Sequence, residues 1–297
     1  MARFDVYQMV TDKIVEMLNN GIIPWHKPWT GVQDGAISYV SRKPYSLLNQ
    51  MLLGRAGEYL TFNQIKQLGG RIKKGAKAGV IVFYTQAHYQ EKFENEEGEI
   101  ETRVVKYPLL KYFNVYHIDD CEGIESKMVE VEVKPVEPIA AAENVINGYL
   151  SREPKLSFQN DKPSDKAYYS YSEISDSVVV PMLSQYDIPE EYYSTVFHEM
   201  THSTMPAHRC DRTAENKTAY FGNEDYSREE LVAEIGSATL CNAVGIECDK
   251  AFKNSVAYIQ SWLKALKNDK KMIIWASSRA EKAAKYILNI NETNKDE

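Results

Sequence analysis

The residues with the clearest chemistry form the stretch His198-Glu199-Met200-Thr201-His202. Side chains four residues apart lie on the same face of an α-helix, so both imidazoles can reach one ion. Two such histidines are typical ligands of Zn²⁺ in hydrolytic sites, and the glutamate after the first one can take a proton from a metal-coordinated water. The spacing therefore predicts a zinc site with His198 and His202 as ligands and Glu199 as general base.

A hydrolytic zinc site needs a third protein ligand, and two segments compete for that role. His208 follows the motif at the spacing that metzincins use, but Met205 stands where that class has the glycine that permits the turn. An acidic helix offers carboxylates instead, and we favour Glu230 as the ligand. Glu234, one helical turn on, is then expected to hydrogen-bond a ligand histidine or to lie beside one. His208, Glu229 and Glu234 remain alternative ligands.

The second half of the chain is expected to be mostly helical, because apolar residues recur there at intervals of three and four. The predicted helices cover about residues 139–150, 189–204, 226–245, 252–268 and 272–290. Two short strands, 166–172 and 176–180, are predicted between the first two of these helices. The histidine pair and Glu230 thus belong to different helices, which must cross at the metal for the site to form.

The first part of the chain has a different charge balance from the rest. Residues 1–89 contain 11 lysines and arginines and 5 acidic residues, a balance of +6, whereas the remaining 208 residues carry −13, to give the total of −7. Such asymmetry is typical of a nucleic-acid-binding part joined to a part with another task.

Aromatic and basic side chains lie close together in this first part. The pattern is typical of single-strand binding, because bases stack on rings and phosphates attract cations. The candidate DNA-binding residues are Trp25, Lys27, Trp29, Arg42, Lys43, Tyr45, Asn49, Arg71, Lys73, Lys74 and Lys77. The alternative interpretation is a buried tryptophan pair and a solvated basic turn.

Helices and strands are predicted to alternate in the same region. Helices are predicted at 5–20, 45–56 and 61–68, and strands at 79–86 and 103–118. The segment from Glu91 to Glu101 contains six glutamates and is expected to be a solvated hairpin loop. Pro108 is expected to interrupt the second strand.

Composition and cysteine use indicate the cellular setting. With 43% hydrophobic and 26% charged residues, the chain can bury a core and stay in solution. Four cysteines without a CxxC pair fit a reducing cytosol, and no segment is long and apolar enough to span a membrane. The first residues include Asp5, Asp12 and Glu16 and do not look like a signal peptide. We therefore expect a cytoplasmic protein with no membrane partner.

Ordered motifs carry a resemblance to a known family over nearly the whole chain. In the first half they are DVYQMVTDKIVEMLNNG, IPWHKPW, SRKPYSLLN, YLTFNQIKQLGGRIKKGAKAGVIVFY and YFNVYHIDDCEGI. In the second half they are AYYSYSEISDSVVVPM, YYSTVFHEMTHST, EELVAEIGSATLCNAVGI, AYIQSWLKAL and ASSRAEKAAKYI. The first set resembles the N-terminal domain of ArdC-type antirestriction proteins, and the second set resembles their peptidase-like domain.

The resemblance implies an antirestriction protein of conjugative plasmids and related elements that binds single-stranded DNA. It also implies a zincin fold distantly similar to the ImmA/IrrE peptidases. In those relatives the ligand helix reads E-x-x-A followed by a polar residue, which here corresponds to Glu230, Ala233 and Glu234 and supports Glu230 as third ligand. Met205 and His208 depart from the usual pattern, so a local change of metal geometry stays open.

We therefore predict an α+β protein of two domains. A small mixed α/β domain that binds single-stranded DNA covers 1–123, a linker covers 124–138, and a mostly helical zincin-like metallopeptidase domain with Zn²⁺ covers 139–297. The leading function is protection of incoming DNA from host restriction. The alternatives are a DNA-tethered zinc metallopeptidase that cleaves a host or element-encoded regulatory protein, and a metal that only stabilises the fold.

Overall fold

The fold comes from a computed structural model that describes residues 4–26, 35–94, 100–128, 138–172, 174–212, 224–247 and 256–290. In these ranges the helices are α1 (Val6–Asn19), α2 (Leu47–Leu53), α3 (Phe62–Gln67), α4 (Pro138–Arg152), α5 (Pro189–Ser203), α6 (Glu224–Val244), α7 (Val256–Asn268) and α8 (Met272–Ile287). The strands are β1 (Ala36–Ser38), β2 (Gly57–Thr61), β3 (Arg71–Ile72), β4 (Gly79–Glu94), β5 (Ile100–His117), β6 (Cys121–Glu122), β7 (Ser157–Gln159), β8 (Tyr168–Tyr171) and β9 (Asp176–Val179). None of the described helices combines the length and the apolar character needed to cross a membrane.

A four-stranded sheet in the order β1-β2-β5-β4 forms the centre of the first half, and β3 pairs with β6 separately. Strand β1 runs parallel to β2, and the other neighbours are antiparallel. In the β4–β5 hairpin, Ile81 lies opposite Phe113 and Phe83 lies opposite Lys111. Because alternate residues of a strand share a face, these four side chains lie on the same face of the hairpin.

The hairpin is longer than the sequence pattern indicated. Strand β4 continues to Glu94 and β5 begins at Ile100, so both ends of the glutamate-rich segment belong to paired strand rather than to a loop. Pro108 does not interrupt β5 but lies opposite Gln86. Strand β2 pairs with β5 only at residues 115–117, so the other edge of β5 is open at Pro108. A proline is tolerated at such an edge, where its missing N–H removes no ladder bond.

A three-stranded sheet in the order β7-β9-β8 lies against α5 in the second half. The helix α5 starts with a proline at its first turn, and Tyr193, Val196, Phe197 and Met200 are buried along it. The helices and strands predicted for this half are present with ends shifted by a few residues, and β7 is an addition. Short strands such as β7, β1 and β2 contain too few residues for a periodic pattern.

One continuous hydrophobic core joins the two halves. Val10 and Ile14 of α1 belong to the same buried cluster as Ile274 of α8. A polar contact accompanies this packing, because Thr11 Oγ1 donates to the Lys270 carbonyl at 2.9 Å. The α+β fold class predicted from the sequence is confirmed, with a mixed first half and a mostly helical second half. The boundary at 124–138 stays a prediction, since most of it lies outside the described ranges.

Candidate functional site

A close approach of helices α5 and α6 brings the candidate metal ligands together. Gly236 of α6 faces Thr201 of α5, and a β-carbon added at residue 236 would lie 2.6 Å from Thr201 Cγ2. Only a residue without a side chain lets the two backbones come this near. Glu230 lies less than two helical turns before Gly236 on α6. The crossing therefore places Glu230 beside the histidines of α5.

The side chains of His198, His202 and Glu230 form one group of potential metal ligands, with all ligand atoms within 4.8 Å of one another. The two histidine Nε2 atoms are 3.2 Å apart, and each lies 3.5 Å from a carboxylate oxygen of Glu230. Tetrahedral coordination with bonds of about 2.0–2.1 Å needs ligand atoms about 3.3 Å apart. Two imidazoles and one carboxylate are also the donor set of known hydrolytic zinc sites, so this group can hold a divalent metal ion.

Glu199 lies beside this group without belonging to it. Its side chain is buried and accepts a hydrogen bond from the backbone N–H of Tyr169 in β8. Burial raises the pKa of Glu199, and the neighbouring His198 and His202 partly oppose that effect. A carboxylate with a raised pKa holds a transferred proton more readily, which suits a general base.

Glu229 contacts the other side of the His202 ring, with Oε1 3.4 Å from Nδ1. The buried guanidinium of Arg212 binds both oxygens of this carboxylate, at 2.7 and 3.1 Å, and also donates to the Thr201 carbonyl at 2.9 Å. Sequence reasoning left Glu229 as an alternative metal ligand and did not consider Arg212. The contacts instead allow Glu229 to orient His202 and Arg212 to hold Glu229 in place.

The surroundings of His202 favour the positively charged form of its ring. Burial alone would lower the pKa of His202, but hydrogen bonds with Glu229 and Glu230 raise it to about 10. For Glu230 the two effects have the opposite signs. Burial alone would raise its pKa, but hydrogen bonds with His198 and His202 hold that pKa well below its ordinary value. An ionised carboxylate next to a buried imidazole such as that of His202 attracts a cation, either a proton or a metal ion.

Glu234 lies one turn after Glu230 and reaches toward two histidines. Its Oε2 is 3.8 Å from Nδ1 of His198, and its Oε1 is 3.5 Å from Nε2 of His26. The sequence predicted a neighbouring ligand histidine for Glu234. It did not predict a contact with His26, which belongs to the first half of the chain.

His208 is not part of the ligand group found among the described residues. Its exposed ring lies 6.2 Å from the ring of Tyr171. The next residue, Arg209, is buried and donates to Asp176 at 2.6 Å and to Glu153 at 2.9 Å. Arg209 thus anchors this segment away from the ligand group, and His208 stays in solvent.

Two of the candidate DNA-binding residues are buried, which corrects the expectation from the sequence. Trp25 is only 2% exposed and belongs to the core, so no base can stack on its ring. Asn49 is fully buried, and its amide is paired with the backbone of Val82 through bonds of 2.8 and 2.9 Å. Trp25 therefore packs against apolar neighbours and Asn49 binds the backbone of a strand. A sequence pattern cannot show either contact. Lys27 and Trp29 lie outside the described residues.

The basic candidates differ in what they contact. Arg42 forms an ion pair with the buried Glu58, and Arg71 forms one with Glu122 across the β3–β6 pair. Lys73 donates to the Asp119 carbonyl at 2.6 Å. Lys74 and Lys77 lie exposed after β3.

A groove of about 650 Å³ contains Lys43 and Tyr45 together with residues that were not predicted. Phe83 and Phe113 line it from β4 and β5, and Lys111 lies opposite Phe83 on the same face. The ring centroid of Phe83 is 6.4 Å from that of Tyr45 and 6.1 Å from that of Phe113. Phe83 is 47% exposed and Phe113 44%, so their faces are accessible. Strand alternation around the two phenylalanines was the signal that could have identified them.

Comparison with known proteins places this geometry in a class. Residues 4–116 match the family described as N-terminal domain of anti-restriction factor ArdC, and residues 151–279 match the zincin-like metallopeptidase family. The fold and site therefore define an ArdC-type N-terminal domain followed by a zincin-like domain with a potential metal centre. Each half of the chain thus resembles a known family, and the resemblance to ArdC-type antirestriction proteins is confirmed.

Individual relatives match nearly the whole chain at low sequence identity. The metal-free crystal structure of antirestriction ArdC from plasmid R388 is 29% identical with a TM-score of 0.66, covering 97% of this chain and all of the other. Its Mn(II)-bound structure is 28% identical with a TM-score of 0.68, covering 98% of this chain and all of the other. A DNA primase TraC of Escherichia coli is 26% identical over 95% of this chain, which spans only 20% of that relative. The uncharacterized protein y4eC of Sinorhizobium fredii is 25% identical over 95% of this chain and 91% of its own length.

Proposed function

We propose that this protein binds single-stranded DNA in the groove lined by Tyr45, Phe83 and Phe113, called here the aromatic groove. Binding there would protect DNA that enters a cell with a mobile element from host restriction. The observation that carries the DNA-binding part is the groove, where the rings of Tyr45, Phe83 and Phe113 lie beside Lys43 and Lys111. Bases can stack on the exposed rings while the lysines neutralise phosphates. The solved ArdC relatives, named as antirestriction proteins, support the restriction part.

The aromatic face extends from the groove along the β4–β5 hairpin. Tyr89 and Tyr107 share the face of Phe83, and their ring centroids are 5.9 Å apart. At about 3.4 Å per residue, the strand from Phe83 to Tyr89 adds roughly 20 Å to the path, enough for several nucleotides. A duplex hides its base faces in the stack, so a row of exposed rings favours a single strand.

Titration of the full chain with a labelled single strand and with the matching duplex tests this proposal. We expect tighter binding of the single strand and a steep loss of affinity as salt is added, because bound phosphates release their counterions. Equal affinity for the duplex would contradict single-strand binding.

The metal centre supports a second candidate function, hydrolysis of a peptide bond in a protein substrate. His198, His202 and Glu230 would hold Zn²⁺, and Glu229 would fix the His202 ring. When bound, the ion supplies Lewis-acid polarisation of a carbonyl group and of the attacking water. The buried carboxylate of Glu199 would accept the proton of that water and return it to the leaving amine. The observation that favours this function is the position of Glu199 beside the ligand group.

A single substitution separates the two functions, because they use different residues. If DNA coating protects the incoming strand, Glu199→Ala should keep single-strand affinity and most of the protection. Transfer efficiency into a restricting recipient, compared between wild type and variant, measures that protection. Complete loss of protection by a folded variant that still binds DNA would make proteolysis the mechanism.

A further inference from the structure

His26 is a buried histidine of the first half that reaches the metal centre of the second half. It ends the 3₁₀ turn Pro24–His26, which packs against α6, and is only 3% exposed. Its Nε2 lies 3.5 Å from Oε1 of Glu234. The other oxygen of the same carboxylate lies 3.8 Å from Nδ1 of His198.

The atoms used by His198 explain why this contact matters for a metal ion. Its Nε2 faces His202 and Glu230, which leaves Nδ1 on the side of Glu234. A ligand histidine commonly donates its other ring N–H to a carboxylate, which fixes the orientation of the ring and makes it a better ligand. At 3.8 Å the Glu234 carboxylate lies just beyond hydrogen-bond distance of Nδ1, so a small movement of either side chain lets it accept that hydrogen.

Glu234 itself needs a second contact to keep its position. The residue is only 8% exposed, and a buried carboxylate is stable only when its oxygens accept hydrogen bonds. Oε2 is directed to His198, and the tautomer of His26 with its hydrogen on Nε2 donates to Oε1 from the other half of the chain. The row His26, Glu234 and His198 thus connects the first half to a candidate metal ligand.

We infer that His26 is a positioning residue of the metal centre, so that metal affinity depends on a side chain from the DNA-binding half. His26 holds Glu234, and Glu234 holds the His198 ring with Nε2 directed at the ion. The inference rests on the proposed metal site. A Zn²⁺ titration of the unaltered chain tests that site separately. If the unaltered chain binds no Zn²⁺, the proposed metal site is wrong, whereas a change seen only in His26 variants concerns the role of His26.

The experiment compares two substitutions of His26 in the full chain. His26→Leu removes the donor, whereas His26→Gln places an amide N–H near the position of Nε2. We expect the Leu variant to bind Zn²⁺ about 10-fold more weakly in a chelator competition, the lower end of the range typical for lost partners of ligand histidines, because His26 acts through Glu234. The Gln variant should recover most of that loss. With Co²⁺ as probe, the visible absorption of the Leu variant should also change, because the ring orientation of His198 changes.

A matched control separates positioning from packing. Trp25 is the buried neighbour in the same turn, and Trp25→Phe disturbs the packing of that turn while the His26 side chain stays unaltered. It should lower the thermal stability of the metal-free chain and leave Zn²⁺ affinity within about twofold. Equal weakening by Trp25→Phe and His26→Leu would assign His26 a packing role and overturn the inference. Wild-type Zn²⁺ affinity in the Leu variant would overturn it as well.

A double-substitution cycle keeps the inference testable if His26→Leu does not fold. His26→Asn keeps a polar side chain but has no donor at the position of Nε2. His26→Asn and Glu234→Gln should each weaken Zn²⁺ binding, and the two combined should weaken it no more than Glu234→Gln alone, since both act through one chain of contacts. Additive effects of the two substitutions would show that His26 does not act through Glu234.

Discussion

Gly236 of α6 lies so near Thr201 of α5 that a methyl group at residue 236 would approach Thr201 Cγ2 to 2.6 Å. Thr201 is fully buried and its hydroxyl donates to the Phe197 carbonyl at 2.8 Å, so it has little freedom to move. One of the two helices must shift if residue 236 gains a side chain. The same crossing positions Glu230 beside the histidine pair, so stability and metal affinity both depend on this contact.

Gly236→Ala should therefore lower the free energy of unfolding by about 1–3 kcal/mol, the usual cost of overpacking a core. It should also weaken Zn²⁺ binding, because the displaced α6 carries Glu230. Denaturant unfolding of the metal-free chain and a chelator competition measure the two effects.

Gly148→Ala in α4 is the matched control. A β-carbon at residue 148 would meet only Arg152 Nη1, at 3.7 Å, which is ordinary contact. Since glycine inside a helix costs roughly 0.5–1 kcal/mol relative to alanine, this substitution should stabilise the chain by about that amount. Zn²⁺ affinity should not change. Equal destabilisation by both substitutions would show that the α5–α6 crossing is not specifically tight.

Glu230→Ala should remove most of the bound metal, whereas His208→Ala should keep it. Loss of a ligand should lower metal affinity by more than the roughly 10- to 100-fold that is typical when a residue hydrogen-bonded to a ligand is lost. His208 lies in solvent against Tyr171 and outside the ligand group. Metal analysis of the two purified variants decides the assignment: a zinc-free His208→Ala protein next to a zinc-loaded Glu230→Ala protein would make the site metzincin-like.

Phe83→Ala should weaken single-strand binding by about 1–3 kcal/mol, or roughly 5- to 150-fold, if one base stacks on the ring. Phe113→Ala should act in the same way. Phe62 is 58% exposed but does not line the groove, so Phe62→Ala serves as the control and should leave affinity unchanged. Fluorescence anisotropy with a short labelled strand measures all three. An equal loss of affinity in Phe62→Ala would show that the DNA strand does not bind specifically in the groove.

Lys43→Ala and Lys111→Ala should make binding less dependent on salt. Each phosphate contact on a single strand contributes about 0.7 to the slope of log affinity against log salt, so the slope should fall by about that amount per lysine. Arg71 is engaged by Glu122, and Arg71→Ala should change the slope less. Binding isotherms at several salt concentrations give the slopes. A larger change for Arg71→Ala than for the lysine variants would show that the DNA strand binds beside β3 and not in the groove.

Local pattern was sufficient for the parts of this protein that depend on neighbouring residues. The helix α5 and the shared face of His198 and His202 follow from residues four apart, and the ends of α5 and α8 were predicted closely. The basic first part and the acidic remainder follow from counting charges. The ordered motifs carried the resemblance to ArdC-type proteins, which the comparisons confirm.

Tertiary structure decided everything that depends on which elements meet. The sequence left several possible third ligands open, because the distance from Glu230 to the histidines depends on how closely α6 crosses α5 at Gly236. Trp25 is a tryptophan, a residue type on which bases commonly stack, yet packing places its side chain in the core. The groove needs Phe83 and Phe113 side by side, which only the register of β4 and β5 establishes. A side chain's chemistry is local, but its partners come from distant parts of the chain, and burial and strand register choose among them.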